Sequence, residues 1–191
     1  MIVSFLRRFV YFGPPKTAST SLHEWLSQPL LCDQPWRPES GDQHDARPPA
    51  EASEFFAFAS IRNPYSRAVS LWRHRLGSGA TENPPVPQLS FADFLAWLPN
   101  ASDFYARSQA WWLAGAMLDF LLPFERIERV LDLPPIAPLK SSLLPLPHRN
   151  ATSHAPWPSY YDSVLAESVY RYFRDDFEIL GYRKEIRADS R

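Results

Sequence analysis

Apolar and polar residues fall along this chain in blocks that predict strand, helix, strand, helix. The first block, Ile2 to Phe12, is rich in aromatic and β-branched residues and predicts a strand. Small hydroxylated residues follow at Thr17 to Ser21, where Ser19 or Thr20 is placed to cap a helix running through Leu22, Trp25 and Leu26. Pro29 to Pro49 is polar and proline-rich and predicts irregular chain. Phe55 to Ile61 is a nearly unbroken apolar run, as a short strand covered on both faces requires. Asn63-Pro64 then marks a helix start, with asparagine at the N-cap and proline at the first helical position. That helix is expected to reach about Leu76, with Gly77 and Gly79 ending it.

Pro84 to Pro87 reads as a loop, and Ser90 to Leu98 as a short helix with Ser90 and Asp93 spaced as a capping box. Gln109 to Met117 is apolar on every side and predicts a buried helix, in which Trp111 and Trp112 are core. Leu118 to Phe124 is a third candidate strand, followed by a helix containing Ile127 to Leu131. Leu133 to Pro158 is a long proline-rich loop. Tyr160 to Asp175 predicts an amphipathic helix, and Phe177 to Tyr182 packs the end of the chain. This order argues an α/β fold with a parallel sheet. With no repeat and no clear linker, residues 1–191 are expected to form one domain.

Composition narrows the classes. Hydrophobic residues make up 45% of the chain and aromatics 15%, which suits a globular core rather than a disordered segment. The single cysteine, Cys32, excludes an intramolecular disulfide and a cysteine zinc site. No stretch approaches a membrane span, and Met1 to Phe12, with Arg7 and Arg8 inside it, lacks the order of a signal peptide. The expected location is the cytoplasm, of a bacterium. The formal net charge of -1 hides a local imbalance. No acid precedes Glu24, although Arg7, Arg8, Lys16 and His23 do; from Arg62 to Arg75 there are four arginines, one histidine and no acid. Two such segments in a near-neutral protein suit a compact anionic ligand better than long nucleic acid. A solvated basic face is the other reading.

The chemistry concentrates where two strands are predicted to end. Gly13-Pro14-Pro15-Lys16-Thr17-Ala18-Ser19-Thr20-Ser21 follows Phe9 to Phe12. A strand, a loop with a lysine and a helix start can hold a phosphate through backbone N–H groups, the helix dipole and one full charge. This is not a Walker A loop, since Pro15 stands where glycine would precede the lysine. No acidic strand end is in view to hold magnesium. Alone, Thr17 to Ser21 is equally a turn and a helix cap. The chain uses arginine seventeen times and lysine three times, which makes Lys16 at a loop tip a specific choice. A compact ammonium suits a bridging oxygen in a way that arginine's fork does not. At the second strand end, Arg62 offers a bidentate phosphate grip and Ser70, eight residues on, a hydroxyl donor. Alone, such an arginine is more often an ion-pair partner.

Together the two stretches resemble the carbohydrate-type sulfotransferases that use 3'-phosphoadenosine 5'-phosphosulfate (PAPS). Pro-Lys-Thr-Ala-Ser-Thr-Ser, residues 15–21, is similar to that family's 5'-phosphosulfate loop; Arg-Asn-Pro-Tyr-Ser-Arg-Ala-Val-Ser, residues 62–70, is similar to its 3'-phosphate motif. Gln109 with Trp112-Leu113, Phe124-Glu125-Arg126, His148 to Thr152, and Asp176-Phe177 with Gly181-Tyr182 resemble later landmarks. The resemblance implies a P-loop-like three-layer α/β/α domain around a small central parallel sheet. It implies that Pro15, Lys16, Thr17, Ala18, Ser19, Thr20 and Ser21 hold the 5'-phosphosulfate and that Arg62 and Ser70 hold the 3'-phosphate. Lys16 would stabilise the leaving phosphate. The proline-rich loop would close over the nucleotide, with Arg149 as its phosphate ligand and Trp157 or Tyr160 stacking, although core packing is the simpler role for Trp157. His44 is the candidate base, on likeness, since histidine titrates near neutrality; His23, His74, Glu24, Asp42 and Asp45 are the alternatives. PAPS is then the donor and 3',5'-diphosphoadenosine the product, with no metal and no nucleic-acid partner, and the acceptor is a hydroxyl of a saccharide or glycoconjugate. A nucleotide or small-molecule kinase and a non-catalytic nucleotide-binding relative are the rivals.

Overall fold

A computed structural model describes residues 1–32, 48–78, 89–101, 104–147 and 155–186. The chain forms two compact units, Met1–Ile61 with Trp111–Ala151, and Arg62–Ala110 with Thr152–Arg191. The protein is mixed α/β, and among the described residues its sheet has four strands, mostly parallel.

The first unit holds the sheet, in the order β1 (Ile2–Ser4), β2 (Phe9–Phe12), β3 (Phe56–Ile61) and β4 (Phe120–Pro123). Strands β2, β3 and β4 run parallel, with Phe12 opposite Ala59 and Ile61 opposite Pro123. The single strand expected over Ile2 to Phe12 is instead a hairpin, with β1 antiparallel to β2 and Val3 opposite Val10. The reversal follows from local chemistry. The Ser4 hydroxyl accepts from the Arg7 N–H at 3.0 Å and donates to the Leu31 carbonyl, and Arg8 takes a left-handed φ of 54°. Residues 5–8 thereby leave the sheet, with Phe5, Leu6 and Arg8 exposed, while Ile2 and Val3 before them and Phe9 and Val10 after them stay buried. Asp119 ties β4 to β3 at its start, its carboxylate accepting from Ala57 N–H and its own N–H donating to the Ala57 carbonyl.

Helix α1 (Ser19–Leu26) buries Leu22, Trp25 and Leu26 in a core shared with Phe9, Tyr11, Phe58 and Leu122. The helix expected around Ile127 is a 3-10 stretch, Phe124–Asp132, broken at Arg126, where φ reaches −137°. Part of the proline-rich segment folds back as a second 3-10 stretch, Ala137–Ser142, and the Trp25 indole donates to the Leu144 carbonyl.

The second unit is helical. Helix α2 (Pro64–Ser78) starts as expected, with the Asn63 carboxamide oxygen accepting from Tyr65 N–H at 2.9 Å. It runs past Gly77. Helix α3 (Phe91–Trp97) is capped by Ser90, whose hydroxyl accepts from Asp93 N–H and donates to the Asp93 carboxylate. The buried helix expected over Gln109 to Met117 is only the single turn α4 (Gln109–Trp112), the point at which the chain passes back to the first unit. Gly115 turns left-handed (φ 83°), Met117 is 88% exposed, and Trp111 is also exposed, so of the two tryptophans only Trp112 is core. The amphipathic helix expected over Tyr160 to Asp175 breaks at Phe173 into α5 (Ser163–Tyr172), capped by Asp162, and α6 (Arg174–Leu180), closed by left-handed Gly181.

The core of this unit is aromatic. Tyr65 stacks on Trp157 at 6.0 Å, so Trp157 packs as core, and Tyr65 meets Phe177 and Tyr161 edge-on. The Tyr65 phenol donates to the Lys184 carbonyl and the Tyr161 phenol to the Tyr65 carbonyl. Burial, with nearby Glu167 adding to it, pushes the Tyr65 phenol up to about 12, so it stays a neutral donor. Among the described residues no helix is long and apolar enough to cross a membrane.

Candidate functional site

The loop between β2 and α1 is built around strain and a buried chain of hydroxyls. Lys16 and Ala18 both take left-handed backbone conformations, φ 69° and 65°, while Thr17 between them does not. For a residue with a Cβ the left-handed region costs roughly 1–2 kcal/mol, so the surroundings must impose this shape. An alternation of that kind turns successive amide N–H groups into a concave, anion-binding arc. The N-cap of α1 is Ala18, with no side-chain cap, rather than Ser19 or Thr20. The first-turn amides of α1 therefore have no capping side chain across them, and the first turn carries no acid. Ser19 is half-buried, Thr20 exposed and Ser21 buried; Pro15 is buried and Lys16 half-buried.

Thr17 shows what imposes the shape. Its side chain is fully buried and points into the first unit. The Thr17 hydroxyl donates to the Pro14 carbonyl at 2.7 Å and lies 2.7 Å from the Ser60 hydroxyl, which lies 2.7 Å from the Tyr11 hydroxyl. A hydroxyl has one hydrogen. Thr17 has given its own to Pro14, so Ser60 donates to Thr17 and Tyr11 donates to Ser60. The relay thus has one direction, from β2 through β3 into the loop. Burial raises the Tyr11 phenol above its ordinary range, outweighing the opposite effect of its bond to Ser60, and this keeps its proton in place. Gly13 completes the fit. A Cβ there would lie 2.8 Å from the Ser19 Cβ and 2.9 Å from the Tyr11 hydroxyl, so the strand exit admits no side chain. Ser60→Ala removes the middle of the relay and is expected to cost about 1–3 kcal/mol. The check is a lower urea midpoint at unchanged m-value; an unmoved midpoint contradicts the relay.

In the second unit, Arg62 is the residue that follows β3. Its backbone is held at both ends by one side chain. The Gln109 carboxamide oxygen accepts from Arg62 N–H at 2.7 Å, and the Gln109 amide donates to the Arg62 carbonyl at 2.8 Å. The Arg62 Nε donates to the Ser66 hydroxyl at 2.9 Å, which aligns the guanidinium with the start of α2. Ser70 lies one turn beyond Ser66 on the same face of α2 and is half-buried. The first turn of α2 also carries no acid.

Behind Arg62 lies a buried polar group that residue patterns do not reveal. Asp176 is fully buried; its carboxylate accepts from the Gln109 amide at 3.1 Å and from Ala110 N–H at 2.8 Å. Arg67, also fully buried, faces the same carboxylate at 3.8 Å, a charge contact rather than a hydrogen bond. It donates to the Tyr105 and Arg107 carbonyls and lies over the Phe173 ring. Gln109 and Asp176, singled out separately in the sequence, are bonded to each other.

The remaining site expectations fall outside the described residues. These are His44, with Asp42 and Asp45, and Arg149 in the proline-rich segment. Of the other candidate bases, His23 packs edge-on against Tyr11 at 5.5 Å, while Glu24 and His74 are exposed. Tyr160 packs against Trp72 and Phe91 in the aromatic core. No family model, curated protein or solved structure matches this chain.

Proposed function

We propose that the protein is a PAPS-dependent sulfotransferase acting on a hydroxyl of a saccharide or glycoconjugate, built as a P-loop-like three-layer α/β/α domain. The observation that carries this reading is the β2–loop–α1 segment. There an ammonium-bearing residue and Ala18 hold left-handed conformations ahead of an acid-free, uncapped helix start. Such a loop suits a phosphate, and Lys16 adds the one full charge that it contains.

In this proposal the backbone of Pro15 to Ser21 and the Lys16 ammonium hold the 5'-phosphosulfate. Arg62 and Ser70 hold the 3'-phosphate, with Arg149 as a further ligand. The acceptor oxygen forms a bond to sulfur as the bond from sulfur to the 5'-phosphate oxygen breaks. The electron pair leaves on that phosphate, and the acceptor proton passes to a base, His44 on family likeness. Lys16 meets the charge that grows on the departing oxygen, the placement at which a fixed donor has most effect on rate. The Thr17 side chain serves as an anchor to Ser60 and leaves ligand contact to its backbone. Incubation with PAPS labelled in its sulfur and a panel of saccharide, glycolipid and phenolic hydroxyls tests the reading. Label moving onto a saccharide without added metal is the expected result. Phosphate transfer from ATP in its place would make the protein a kinase.

A further inference from the structure

Gln109 has its whole carboxamide committed to the backbone of one residue and to one carboxylate. Its oxygen takes the Arg62 N–H, one amide hydrogen goes to the Arg62 carbonyl, and the other to Asp176. These are the two backbone groups that a neighbouring strand would pair. The amide has only one workable orientation. Rotated by half a turn, it would set NH₂ against the Arg62 N–H, and its oxygen against both the Arg62 carbonyl and Asp176. Asp176 is itself fixed by Ala110 N–H and by the charge of Arg67. The line therefore runs from the Arg67–Asp176 pair through Gln109 to the Arg62 backbone, and ends at the Arg62 guanidinium aligned by Ser66. A buried amide used in this way does more than fill volume, which leucine or methionine would do without a desolvation cost.

Resting on the assignment of Arg62 to the 3'-phosphate, we propose that Gln109, oriented by Asp176, is a positioning residue that sets the protein's preference for a nucleotide carrying that phosphate. Gln109 touches no ligand itself. It holds the Arg62 backbone in the one register from which the guanidinium meets the phosphate with both terminal nitrogens. Two substitutions separate this from a merely structural role. Gln109→Met keeps the volume and removes every bond. Gln109→Glu keeps the shape. Ionised, it still accepts from Arg62 N–H, but it opposes the Arg62 carbonyl and Asp176; protonated, it regains one donor. The side-chain charges bearing on that carboxyl through its partners are those of Asp176, Arg67 and Arg62. The acid form is the competent one, so binding by this variant should strengthen as pH falls through the titration of the new carboxyl.

The experiment is calorimetric titration of the full chain with 3',5'-diphosphoadenosine and, separately, with adenosine 5'-phosphate, which lacks the 3'-phosphate. The wild type should prefer the first. Gln109→Met should lose about tenfold of that preference, the effect of one charged hydrogen bond, with affinity for the monophosphate changed by less than about twofold. Gln109→Glu should recover part of the preference at mildly acidic pH relative to mildly alkaline pH. Equal losses for both nucleotides, or an unchanged preference in Gln109→Met, would overturn the inference. If Gln109→Met does not fold, a pH-independent preference in Gln109→Glu overturns it as well. A wild type that does not distinguish the two nucleotides overturns the Arg62 assignment first, and the role of Gln109 with it.

Discussion

Lys16→Ala is expected to lower sulfuryl transfer by about 100- to 1,000-fold, the usual effect of removing one donor aimed at developing charge. On the proposed assignment, nucleotide affinity should fall by much less, because the loop amides and the Arg62 motif would keep their contacts. Alanine is the informative replacement. Lys16 sits at φ 69°, where alanine and lysine meet the same left-handed penalty, so the variant loses the ammonium without releasing the turn. Glycine would relax the turn as well and mix two effects. Lys16→Arg keeps the charge but replaces a point ammonium by a planar fork, and should recover only part of the rate. Turnover and calorimetric affinity measured on the same preparation make the check. A variant with wild-type turnover would remove Lys16 from the chemistry.

Asp176→Ala is expected to be the most destabilising single change in the second unit, by about 3–5 kcal/mol. That is the range for removing one partner of a buried ion pair and leaving the other charge uncompensated. Asp176 and Arg67 have fully buried side chains, so water cannot replace the lost carboxylate. Two further bonds go with it, those to the Gln109 amide and Ala110 N–H. The diagnostic is the double variant. Arg67→Met with Asp176→Leu removes both charges and fills the space, and should be more stable than Asp176→Ala alone. Urea unfolding of Arg67→Met, Asp176→Leu and the double variant that combines them measures this coupling. Strict additivity would show that the charges at 3.8 Å do not interact.

The strand and helix at the second motif were legible because every local signal agreed. An unbroken apolar run predicts the central strand β3, and Asn63-Pro64 predicts the start of α2 by the capping bond that is found there. The N-terminal hairpin is harder to see in the sequence, although its signal is present. Ser4 and the adjacent arginines interrupt the apolar run, but aromatic and β-branched content over eleven residues outweighed a four-residue turn. The extent of the helix that starts at Gln109 is illegible for a different reason. A segment apolar on every side has no face, so its period could not say where the helix stopped, and Gly115 marked the stop. At the loop between β2 and α1, the residue types are legible and the conformations are not. Ser19 and Thr20 looked like caps, yet left-handed Ala18 takes that position because Thr17 is anchored by Ser60, 43 residues away. The Gln109–Asp176 bond spans 67 residues. No local pattern encodes it, and only the family likeness singled out its two ends.

The central claim is that this protein binds a doubly phosphorylated adenosine through Lys16 and Arg62, and calorimetry run once with a metal chelator and once with magnesium tests it most directly. The account predicts saturable binding of 3',5'-diphosphoadenosine, tighter than that of ATP, and weakened in Arg62→Ala. Tighter binding of ATP that requires magnesium, or no binding of 3',5'-diphosphoadenosine at all, would contradict it.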